Sequence, residues 1–124
     1  VFNDMRDSDP LATFGALLRR LDPMGLAYAH ITRVTAQDLA HGAQGGVGPR
    51  ELRPHYRGRI VSAGGFDRPQ AEKSLREGWA DALAFGVPFL ANPRLRADAP
   101  LNTPDESTFY ASGPKGYTDY PALG

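Results

Sequence analysis

The sequence has no cysteine, which excludes disulfide staples and thiolate metal sites. It has no surplus of either charge: 14 basic side chains balance 14 acidic ones over 124 residues. A neutral balance gives no general pull toward nucleic acid or an anionic membrane. No apolar run approaches the ~18 residues of a membrane span. Val1 to Asp7 lack the apolar centre of a signal peptide. His41 and His55 have no ligand-spaced partner, whereas zinc needs three or four converging ligands; no metal is expected. The expected setting is the cytoplasm, with neither nucleic acid nor membrane as partner.

What is present reads as alternating helices and short apolar strands. Ser8-Asp9-Pro10 is a helix start: Asp9 can cap the free N–H groups and Pro10 suits the first helical position. Leu11, Phe14, Leu17, Leu18 and Leu21 recur at helical spacing, and Asp22-Pro23 with Gly25 ends the run. Leu26 to Ile31 (LAYAHI) reads as a buried strand. Gly42, Gly45, Gly46 and Gly48 make a loop, and Pro49 to Tyr56 holds a short helix limited by Pro54. Arg59 to Ala63 (RIVSA) is the second strand, ending in Gly64-Gly65. Asp67 and Gln70 form a capping box for a helix from Arg68 to about Glu77, with Ala71 and Leu75 inward and Gly78 as its stop. Ala82 to Phe85 (ALAF) is the third strand, Pro88 to Asn92 a helical turn, and residues 94–124 an irregular tail with room for one short helix near Leu95.

This order predicts an α/β fold with a parallel sheet built from right-handed βαβ units. Three such strands cannot close an eight-stranded barrel of roughly 250 residues. They would leave sheet edges unpaired, so the chain reads as part of a larger fold, with its edges covered by a second copy or exposed. Glycines close two consecutive strands, at Gly64-Gly65 and Gly86. Glycine there suits a tight turn, and it equally lets main-chain N–H groups approach an anion. No Walker lysine follows either set.

The segments Phe2-Asn3-Asp4-Met5, Ala63-Gly64-Gly65-Phe66, Ala84-Phe85-Gly86 with Ala91-Asn92-Pro93, Phe109-Tyr110 and Gly116-Tyr117-Thr118-Asp119-Tyr120-Pro121 occur in this order. Together they resemble the C-terminal part of the old yellow enzyme family of FMN-dependent ene-reductases. The resemblance runs over nearly the whole chain, and its most specific motif is GYTDYP. It implies a TIM (β/α)8 barrel of which residues 1–124 form the C-terminal portion, about three βα units, with LAYAHI, RIVSA and ALAF as strands six to eight. It implies FMN as cofactor, NAD(P)H as reductant and an activated alkene as substrate. Ala63, Gly64, Gly65, Phe66, Gly86 and Val87 would bind the FMN phosphate. Phe109 and Tyr110 would line the substrate pocket, and the tail would lie over the barrel rim. At Val87 many family members have an arginine that pairs with the phosphate; Arg68 is a candidate substitute. The family's catalytic residues lie on earlier strands, so none is expected here. The chain's expected partner is the missing N-terminal part of the barrel or another copy of itself, and activity in isolation is not expected.

Two further readings stand beside this one: a truncated, non-catalytic α/β half-barrel that self-associates through its open edges, and a module that binds a phosphorylated ligand. The remaining conspicuous residues have plain uses. His30 reads as a packed or hydrogen-bonded structural histidine. Arg50, Arg53, Arg57 and Arg59 read as a solvated surface, Trp79 as packing, and Tyr117 and Tyr120 as packing of the tail.

Overall fold

The computed structural model describes residues 7–40, 42, 46–92 and 100–122. Phe2 to Met5, His41, Gly45, Pro93 and the helix foreseen near Leu95 lie outside the described residues. The chain forms two compact units, one up to Ala84 and one from Phe85 onward.

The first unit opens with α1 (Pro10–Leu21), started by the predicted chemistry: the Asp9 side chain accepts from the Ala12 amide at 3.0 Å and Pro10 sits at the first position. Strand β1 (Ala29–Thr32) follows, then α2 (Ala36–Ala40) and α3 (Pro49–Leu52), which runs into a 3-10 turn, Arg53–His55. Strand β2 (Ile60–Ala63), α4 (Arg68–Arg76) and β3 (Ala82–Leu83) complete the unit. The sheet is parallel in the order β1-β2-β3, with Ala29 opposite Ile60 and Val61 opposite Ala82. The parallel α/β expectation is borne out.

Both caps of α4 form as read. Asp67 accepts from the Gln70 amide at 2.8 Å, Gln70 reaches back to the Asp67 amide, and Gly78 turns out at φ +69°. The inner face differs. Ala71 and Ser74 are buried, whereas Leu75 is exposed. Leu75 lies one helical step, about 100°, beyond Ser74, so a face centred on Ala71 and Ser74 turns it outward.

Strand β1 is not the buried strand foreseen. It starts at Ala29, only Ile31 of it is buried, and Leu26 and Tyr28 are exposed. The cause is its place at the sheet edge, paired with β2 alone among the described residues. The central strand β2 buries Ile60 and Ser62 instead, and the Ser62 hydroxyl donates to the Ile31 carbonyl at 2.9 Å. Strand β3 is shorter than ALAF; Ala84 still donates to the Ser62 carbonyl at 2.8 Å, but Phe85 belongs to the second unit.

Leu18, Ile31, Leu52, Tyr56, Ile60 and Ala80 form the core of the first unit. The stripe on α1 contributes Leu18 fully and Leu21 in part, while Leu11, Phe14 and Leu17 stand 40%, 46% and 48% exposed. Half of a well-formed apolar face therefore has no cover among the described residues. The arginines around α3 serve as struts. Arg53 pairs with Asp81 at 3.0 Å, and Arg57 binds Asp22 through both its amide and its Nε, each at 2.7 Å. His55 lies against Gly15 and takes a hydrogen bond from Arg19.

The second unit starts with α5 (Gly86–Ala91), two residues earlier than expected, and includes a 3-10 turn, Glu106–Thr108. Elsewhere its described residues are irregular, as expected, but they are not loose. Asn102 donates to the carbonyls of Ala91 and Pro121, and the Tyr120 and Tyr117 hydroxyls accept from the amides of Asp105 and Tyr110, each at 2.8 Å.

Candidate functional site

The candidate site residues fall in both units. Ala63, Gly64, Gly65 and Phe66 continue β2 in the first; Gly86, Val87, Phe109 and Tyr110 lie in the second.

At the end of β2 the chain takes two successive positive φ angles, +109° at Gly64 and +62° at Gly65. Both carbonyls are held by one side chain. Arg33 Nε donates to the Gly64 oxygen at 2.5 Å, and its Nη2 donates to the Gly65 oxygen at 2.6 Å and to Gln70 Oε1 at 2.7 Å. The guanidinium also lies over the Phe66 ring, 3.9 Å from its centroid, a cation–π contact. The fork of arginine suits this use, since it aims several donors at fixed angles. The Gly64 and Gly65 carbonyls are thus tied down, and the amides of Gly64, Gly65 and Phe66 have no acceptor among the described residues. Unpaired N–H groups beside a fixed positive charge favour an oxyanion. Asp67 next to them is committed to capping α4, so the unpaired donors belong to the loop and not to the helix end.

Sequence reading missed Arg33. It has no local signature, because its partners lie 31 to 37 residues away. The usable signal was the arginine's position directly after β1, beside the glycine-ended strand β2.

In the second unit, Gly86 opens α5 with negative φ, and a β-carbon there would meet nothing within 4 Å. Neither conformation nor packing among the described residues demands glycine at that point. Val87 is exposed. Arg68, the candidate substitute cation, pairs with Glu72 at 2.7 Å. Phe109 is half-buried, and Tyr110 is 92% exposed on a backbone at φ +61°. That conformation is uncommon for a bulky side chain. His30 is exposed at the edge strand, so the packed role foreseen for it is not seen. Among the described residues no cluster of His, Cys, Asp or Glu could hold a metal, and no helix is long and apolar enough to cross a membrane.

No profile of a known protein family matches the chain. Individual proteins do. It is 38% identical over 128 residues to 12-oxophytodienoate reductase 1 of Oryza sativa subsp. japonica, covering 98% of this chain and 34% of that protein. It is 37% identical over 126 residues to "Probable flavin mononucleotide-dependent alkene reductase" of Leishmania infantum, covering 98% of this chain and 33% of that protein. The old yellow enzyme of Trypanosoma cruzi superposes with a TM-score of 0.83 at 39% identity, over 94% of this chain and 31% of that one. The resemblance to the old yellow enzyme family is thereby borne out in sequence and in structure. The chain spans about a third of the length of the curated relatives it matches.

Proposed function

We propose that this chain is the C-terminal part of an FMN-dependent ene-reductase barrel, with β1, β2 and β3 as strands six, seven and eight. Its role there is to hold the flavin phosphate and to supply one wall of the substrate pocket. The observation that carries this reading is the end of β2: the unpaired amides of Gly64, Gly65 and Phe66, with their loop fixed by Arg33. These residues fit a phosphate. Ala63 leads into the loop, and the resemblance adds Gly86 and Val87 to the phosphate ligands. Bound FMN would supply hydride transfer from NAD(P)H to an activated alkene. Val87 brings no charge to the phosphate, so Arg33 is the cation of the cradle, acting through the loop it braces.

The exposed stripe of Leu11, Phe14 and Leu17 supports the same reading. An amphipathic helix leaves such a face bare when its neighbour in the layer is another part of the protein. The partner is the N-terminal part of the barrel, which carries the catalytic residues and the remaining flavin contacts.

The test is the visible spectrum of the chain after mixing with FMN and desalting, alone and with the N-terminal part supplied. Flavin bands retained with both parts, and lost on Gly64→Ala, are the expected outcome. No retention under either condition would overturn the reading and leave the glycines as turn chemistry. Flavin-free dimers with the α1 stripe covered would favour the self-associating half-barrel.

A further inference from the structure

A cleft of about 260 Å³ opens in the first unit between α4 and the stretch leading into α3. It is smaller than the roughly 300–1,000 Å³ of pockets that take drug-sized ligands, so it suits a small molecule. Its polar lining is cationic. Arg33, Arg50 and Lys73 border it, against one carboxylate, Glu51. Glu51 is engaged with the Gly48 amide at 3.0 Å. In a chain with zero formal net charge, this is a local excess of positive charge.

Lone lysines and arginines on a surface are ordinarily just solvated. Here they converge. Arg50 and Lys73 both lie over the Trp79 ring, 5.3 Å and 5.5 Å from its centroid. Neither has a carboxylate partner among the described residues. Beside them Ser74 borders the cleft; it is 1% exposed, and its buried hydroxyl has no hydrogen-bond partner among the described residues. A buried hydroxyl without a partner is costly and rare in native proteins. The Ser74 carbonyl, by contrast, is used twice, by the amides of Trp79 and Ala80.

We infer that this cleft is a binding site for a small organic dianion of the dicarboxylate class. One carboxylate meets Arg50 and Lys73, which the indole holds in place. The other lies toward the Arg33 side of the cleft, with Ser74 beneath it. Charge-assisted hydrogen bonds of this kind are about twice as strong as neutral ones. Arg33 borders this cleft and also braces the Gly64-Gly65 loop, so an occupant would touch the residue that sets the loop. The cleft shares Arg33 and Phe66 with the phosphate loop, but Arg50, Lys73 and Trp79 belong to the cleft alone, and the inference does not need the flavin reading.

Trp79 is the chain's single tryptophan, so its fluorescence reports on the cleft alone. The experiment titrates the full chain, without FMN, with succinate at constant ionic strength. The expected result is a saturable change in Trp79 emission that sodium chloride does not reproduce. In Arg50→Gln/Lys73→Gln, two exposed substitutions checked by circular dichroism, succinate affinity falls at least about tenfold, or 1.4 kcal/mol. A change that does not saturate, a matching response to chloride, or an unchanged affinity in the double variant would each overturn the proposal.

Discussion

Arg33 and Gly64 approach so closely that position 64 has no room for a side chain. A β-carbon there would stand 2.7 Å from the Arg33 carbonyl oxygen and 3.0 Å from its Cγ, on a backbone at φ +109°. The Arg33 backbone cannot yield cheaply, because its amide is bonded to the Ala63 carbonyl at 3.0 Å. Gly65 is different: its φ is +62°, and the nearest atom to an added β-carbon is Thr35 Cγ2 at 3.7 Å.

Gly64→Ala is therefore expected to destabilise the first unit by about 2–3 kcal/mol, combining backbone strain with a main-chain clash. Gly65→Ala should cost only about 1 kcal/mol, the left-handed penalty alone. Urea unfolding of both variants checks the order. Equal losses would mean that the Arg33 contact is not what fixes the residue at 64.

Arg33→Lys separates bracing from charge. Lysine keeps the positive charge but cannot reach the Gly64 and Gly65 carbonyls and Gln70 with one planar fork. FMN retention by the assembled barrel should fall at least about tenfold, with little change in far-ultraviolet circular dichroism. Full retention would show that charge suffices and that the brace on the loop is dispensable.

The elements the sequence reveals are those written in neighbouring residues. Asp9 with Pro10, Asp67 with Gln70, and Gly78 each specify a helix end from within a few positions, and each acts as read. What fails are judgements about which face is covered. Leu75 and Leu11 are apolar at helical spacing, yet both are exposed, because cover depends on what packs opposite and not on the helix itself. The site shows the same division. Gly64 and Gly65 announce themselves by type, while the Arg33 that sets them is joined to them across 31 and 32 residues of chain. The tail tyrosines were legible only as packing; that Tyr117 and Tyr120 accept backbone amides follows from a fold with no regular period to read.

Acid should loosen both units through a few carboxylates. The Arg57 amide, and then its guanidinium, hold Asp22 below its ordinary value of 3.8. The Thr35 hydroxyl and amide do the same for Asp38, and those of Ser107 for Asp105. A carboxyl whose folded-state value is depressed contributes stability that is present above its unfolded value and lost as pH falls through the folded one. Stability from these groups should be flat near neutrality and should decline below about pH 4, near the unfolded value for aspartate. Asp22→Asn should shallow that decline for the first unit. An identical acid limb in the variant would show that the Arg57 contacts do not carry it.

Tyr110 combines two features that folding alone does not favour: a bulky residue at φ +61° and 92% exposure of that residue. The surroundings enforce the backbone, since the Tyr117 hydroxyl takes the Tyr110 amide at 2.8 Å and Ala111 donates to the Thr108 carbonyl at 3.1 Å. Strain kept at an exposed aromatic is a mark of function when the aromatic has something to touch. Asparagine tolerates the left-handed region far better, and little buried surface is lost with so exposed a ring. Tyr110→Asn should therefore leave stability unchanged or raise it by about 0.5–1 kcal/mol. On the proposed function, the same variant in the assembled barrel should raise KM for an alkene substrate with the flavin spectrum intact, as expected of a residue in the pocket wall and not in the cofactor cradle. A loss of stability in Tyr110→Asn would instead make the ring a packing element and remove Tyr110 from the substrate pocket.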